Sequence, residues 1–85
     1  MVELCNPVNV WVFFEKGQIK PYVFFWNKRR IAIDKINLVH QSREGDRDLY
    51  HFSVSSGGNF YRLGFDSGRL KWVLEAIEED DVVLS

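Results

Sequence analysis

The sequence predicts a five-stranded antiparallel sheet, curled into a roll or small open barrel, with one helix at the C-terminal end. Three observations predict it. Five stretches rich in β-branched and aromatic residues are separated by turn residues. One long stretch breaks its alternation midway, as a bent strand does. A final segment spaces its apolar residues at helical intervals. The expected strands span about 8–15, 19–26, 30–40, 49–55 and 60–66, and the expected helix spans about 67–79.

The first hairpin turns at Lys16-Gly17. A two-residue loop there pairs Phe14 with Ile19, Val12 with Pro21 and Val10 with Val23. The opposite face then holds Trp11, Phe13, Tyr22, Phe24 and Trp26, so the ribbon is apolar on both sides. Pro21 lacks an N–H and therefore marks a sheet edge or a bulge. For the second turn, a three-residue loop over Asn27-Lys28-Arg29 is favoured over a two-residue one. It places Ile31 and Ile33 with Val10 and Val23, and a one-residue slip would exchange the faces. The third strand loses phase near Asp34-Lys35, where an extra residue would bend it and let the sheet curl. A polar loop over 41–48 follows. The last hairpin is the clearest. Gly57-Gly58 accepts positive φ at both positions and pairs Val54 with Tyr61, Phe52 with Leu63 and Tyr50 with Phe65. Asp66 or Ser67 is placed to cap the helix, whose stripe is Leu70, Val73, Leu74 and Ile77.

Eighty-five residues with 46% hydrophobic and 15% aromatic content describe one folded domain, with an acidic and apolar tail over 80–85. Disorder is excluded by this composition. Cys5 is the single cysteine, so no intrachain disulfide forms. The longest apolar run, Val10 to Phe14, is too short for a membrane helix or an export signal, which leads to the expectation of a cytoplasmic protein with no membrane partner. The net charge is −1, and the acidic excess comes from Glu78, Glu79, Asp80 and Asp81.

Chemistry-bearing groups are few. His51 falls on the outer face of the fourth strand, His40 at the inner end of the third, and Cys5 ahead of the first. No Cys–His spacing, metal-ligand spacing or phosphate loop is present, so neither enzymatic activity nor a metal or other cofactor is expected. The aromatic face, Trp11, Phe13, Tyr22, Phe24 and Trp26, is rimmed by Lys20, Arg29 and Arg30. It has three readings. The C-terminal helix covers it as core. It is a surface for a protein partner or for self-association. Or it stacks nucleobases, with Lys28, Arg29, Arg30 and Arg62 on phosphates and Trp26 as the stacking platform.

The run from Pro21 to Ile31, with Phe24-Phe25-Trp26 before the basic turn, resembles a small uncharacterised bacterial β-rich domain family. The order of Tyr50, Gly57-Gly58, Tyr61-Arg62-Leu63 and Trp72-Val73-Leu74 resembles it too. The resemblance spans most of 8–77. Some members of that family are associated with proteins resembling DNA-repair polymerases, which implies an accessory role in DNA repair; the resemblance carries over no assigned catalytic residues. Asn27 stands where that family's pattern has a more basic residue.

The sequence thus leads to an expectation of a non-enzymatic accessory domain for protein interaction or self-association. The alternative is a nucleic-acid-binding module associated with DNA repair.

Overall fold

The computed structural model describes residues 2–79. The tail over 80–85 lies outside them. Among the described residues there are seven strands and no helix. They are β1 (Val2–Glu15), β2 (Gln18–Trp26), β3 (Arg29–Ala32), β4 (Lys35–Glu44), β5 (Arg47–Ser56), β6 (Asn59–Asp66) and β7 (Lys71–Glu79). All neighbours are antiparallel, in the order β3-β2-β1-β7-β6-β5-β4, and the sheet curls into a half-barrel. The expected five strands plus a helix are therefore corrected to an all-β fold.

The segment expected to be helical is β7, between β1 and β6. Its start does behave like a helix N-terminus. Asp66 Oδ1 accepts the N–H groups of Gly68 (3.0 Å) and Arg69 (3.2 Å), and the Leu70 N–H donates to the Asp66 carbonyl at 2.7 Å. The turn stops after one cycle because Leu70 takes φ 57°, a left-handed conformation that redirects the chain. Beyond it, a bulge explains the helical spacing. Leu63 pairs with Leu74 and Tyr61 with Ile77, so Leu74 and Ile77 both pack on the core although three residues apart. The extra residue shifts a period of two into an apparent helical interval. The extended form also gives β1 and β6 a shared partner, where a helix would leave both with unpaired ladders.

A second bulge corrects the first hairpin. Phe14↔Ile19 and Val12↔Pro21 pair as the sequence implies, but Trp11 pairs with Val23 and Val10 with Phe24. The unpaired Tyr22 shifts the phase of β2, so Phe24 enters the core and is fully buried. The second turn follows suit. Asn27 and Lys28 alone form it, with φ 55° and 63°, so the three-residue loop is corrected to a two-residue one. Ile31 then sits opposite Phe24, and both belong to the core.

The third strand, expected as one bent strand over 30–40 with an extra residue near Asp34-Lys35, is corrected to two: β3 ends at Ala32, β4 begins at Lys35, and the bulge lies between Ile36 and Leu38. Ile33 donates its N–H to the Tyr22 carbonyl (2.9 Å), and Asp34 donates to the Ser55 carbonyl (2.8 Å). The chain therefore changes partner from β2 to β5 within two residues. The segment 41–48, expected as a loop, instead extends β4 and β5 to Glu44↔Arg47 around Gly45-Asp46. The β5–β6 hairpin has the expected pairing throughout.

β1 also changes partner. Val2 to Val8 lie against β7, and Asn9 to Glu15 against β2. The distal half of β1 thus forms a three-stranded flap with β2 and β3. The flap folds over a five-stranded layer made of the proximal half of β1 with β7, β6, β5 and β4. Between the layers lies the core of Phe24, Ile31, Phe52, Val54, Tyr61, Leu63, Phe65 and Leu74. The Phe24 and Tyr61 rings meet edge to face at 5.2 Å between centroids, joining flap to layer.

Candidate functional site

Recesses open between flap and layer beside the hairpin that carries the Lys16-Gly17 turn. The apolar pattern of the hairpin tip continues past the point where the layer covers it, so Phe14 is 70% exposed. On the facing side Leu70 and Val39 are 74% and 52% exposed. A cleft of about 440 Å³ opens between Gly17–Lys20 of the flap and Ile36, Val39, Tyr50 and Phe52 of the layer. A wider recess of about 770 Å³ lies under the other side of the hairpin, with Val10 and Phe14 facing Phe65, Leu70 and Trp72. Its floor is aromatic: Phe65 stacks on Trp72 at 4.7 Å, and Trp72 lies 5.5 Å from Phe52.

Two strand edges border the smaller cleft. β3 pairs with β2 only from Val23 to Trp26, so the Gln18–Lys20 edge of β2 has no strand partner among the described residues. β4 ends the strand order, so its far edge lacks a strand partner among them too. The missing N–H of Pro21 falls where β3 no longer runs beside β2.

The structure divides the aromatic set expected on one face. Trp11, Phe13 and Tyr22 lie exposed on the outer side of the flap. Phe13 stacks on Tyr22 at 4.5 Å, Trp11 meets the edge of Phe25 at 5.3 Å, and the Arg30 guanidinium sits 5.7 Å over the Trp11 ring. Phe24 and Trp26 are on the inner side, in or against the core. The cause is the Tyr22 bulge. Lys28, Arg29 and Arg30 are exposed together around the β2–β3 turn. Arg62 is elsewhere, on β6, with its Nε 3.1 Å from Glu75 Oε1.

A third arrangement occupies the outer face of the five-stranded layer. His51 Nδ1 lies 2.9 Å and 3.1 Å from the two oxygens of Glu75, and His51 Nε2 lies 2.9 Å from Ser42 Oγ. His40 is on this face as well, not the inner one, and its ring lies 5.7 Å from that of His51. The bulge between Ile36 and Leu38 causes that exchange. Sequence reasoning missed Ser42 and Glu75 because it placed one in a loop and the other on a helix. Gly64, unbranched inside a central strand, was the available signal that something crosses there. A Cβ at Gly64 would collide with the Glu75 carboxylate.

No helix of the described residues is long and apolar enough to cross a membrane. No family model, no curated protein and no solved structure matches the chain.

Proposed function

We propose that the protein is a cytoplasmic accessory domain that binds another polypeptide, or a second copy of itself, at the mouth between flap and layer. An extended apolar segment fits what is open there. Its backbone meets the free edge of β4 or of β2 at Gln18–Lys20, and its alternate side chains enter the cleft beside Ile19, Val39 and Phe52. The observation that carries this reading is the coincidence of two unpaired strand edges with exposed inward-facing apolar groups at one site. This binding requires no bond-making step at the cleft.

The test combines light scattering over a range of concentrations with titration of extended apolar peptides. Val39→Asp puts a charge in the cleft, and Gln41→Pro removes a backbone donor from the free edge of β4. Both are expected to abolish the peptide complex or to return a dimer to monomer. A protein that stays monomeric at every concentration and binds none of the peptides refutes the reading.

A nucleic-acid role is the second reading, favoured by Arg30 over Trp11 beside Lys28 and Arg29. Against it stand the net charge of −1 and the inward position of Trp26. Titration with labelled single-stranded DNA at about 50 mM salt decides, since phosphate-driven binding is strongest at low salt. Absence of binding there removes the reading.

A further inference from the structure

We infer that Ser42 is an activated nucleophile for carboxylic esters, with His51 as its general base and Glu75 as the residue that positions His51. The inference is independent of the binding mouth, because these groups lie on the opposite face of the layer.

Three local features build the arrangement. On β4 and β5, His40 pairs with His51 and Ser42 stands one outward position farther along, so the Ser42 hydroxyl reaches Nε2 diagonally at 2.9 Å. On β7, the bulge opposite Arg62 sets Glu75 on the outer side. On β6, the missing side chain of Gly64 lets the carboxylate pass over the strand to Nδ1 at 2.9 Å. A glycine in a central strand and a bulge in its neighbour both cost ladder stability. Here both serve the same contact.

The tautomer follows from the partners. An ionised carboxylate only accepts hydrogen bonds, so Nδ1 carries the proton and donates it to Glu75. Nε2 is left with its lone pair toward the Ser42 hydroxyl. Glu75 also accepts the Arg62 Nε–H at 3.1 Å, which holds the carboxylate from its other side. A recess of about 420 Å³ beside His51 is lined by Leu38, His40, Ser53, Arg62 and Glu75. Leu38, on the same face of β4 as Ser42, offers an apolar contact for an acyl chain.

In the reaction, Ser42 Oγ forms a bond to the acyl carbon and its proton passes to His51 Nε2. The acyl carbon–oxygen bond to the leaving alcohol breaks, and that oxygen takes the proton from His51. Water repeats the sequence on the acyl-serine, releasing the carboxylic acid and restoring the hydroxyl.

The test uses the full chain with a fluorophosphonate probe and with p-nitrophenyl acetate. The probe is expected to attach once, at Ser42, with loss of fluoride, and p-nitrophenyl acetate to release nitrophenolate. Ser42→Ala should lose both reactions. His51→Gln should slow them by about a hundredfold or more, within the usual range for a general base. Glu75→Gln and Gly64→Ala should slow them by about ten- to a hundredfold, as loss of an orienting partner does. Long-range proton–nitrogen NMR supplies a readout independent of turnover: Nδ1–H in the native protein, with that preference lost in Glu75→Gln. A network that merely clamps the strands leaves Ser42 unlabelled. That result overturns the inference, as does labelling of Ser42 at the same rate in folded His51→Gln, or an Nε2–H tautomer in the native protein.

Discussion

Trp11 and Phe24 lie on paired strands of the flap, yet one is 47% exposed and the other fully buried. Replacing each with serine separates the two environments. Phe24→Ser is expected to cost at least about 3 kcal/mol, since it leaves a cavity and buries a hydroxyl among Ile31 and Tyr61. Trp11→Ser is expected to cost well under that, through loss of its edge contact with Phe25. Urea denaturation of both variants checks the difference. Equal losses would mean that the two rings share a face. Leu70 supplies a prediction of opposite sign. It holds φ 57° with its side chain largely in solvent, so Leu70→Gly should stabilise the fold by up to about 1 kcal/mol. Thermal melting reads that shift.

At the scale of elements, how well a strand could be read depended on the regularity of its alternation. β5 and β6 alternate without interruption within their hairpin, and their turn requires two positive φ angles, so pairing and faces were legible to the residue. Wherever a bulge intervenes, the legible part ends. Tyr22 inverts the faces of β2, the break between Ile36 and Leu38 moves His40 outward, and the one opposite Arg62 makes β7 resemble a helix. A bulge adds one residue to one strand only, and its position depends on the partner strand, so a single segment read alone does not reveal it. The candidate site was legible in the same proportion. The aromatic face expected as a partner surface is not the proposed mouth, since Trp11, Phe13 and Tyr22 lie on the outer side of the flap, and the Ser42–His51–Glu75 array needed two of those unread bulges. For β7 the expected far-UV circular dichroism is a β spectrum without helical minima. Asp66→Ala should cost about 1–2 kcal/mol, because it frees the Gly68 and Arg69 N–H groups and removes an ion-pair partner of Arg47. A helical spectrum, or an unchanged denaturation midpoint in Asp66→Ala, would contradict the strand and its capped turn.

For the whole molecule, protection from solvent should follow the strand order. Amides of β6 and β7, flanked on both sides, should exchange slowest, and those of Ile19 and the outward-facing residues of β4 fastest. Native-state hydrogen exchange gives the ranking directly. In variants that keep one tryptophan each, acrylamide should quench Trp11 far more than Trp26, which packs against the core.

The flap hangs on two places where a strand changes partner, Val8 to Asn9 in β1 and Ile33 to Asp34 between β3 and β4. Neither is a slack linker; each is hydrogen-bonded on both sides of the crossing. They fix the flap to the layer at two separate points along the chain. Any widening of the mouth would therefore strain both crossings at once and pull Phe24 away from Tyr61, which makes the width of the gap a preset property of the backbone and its packing.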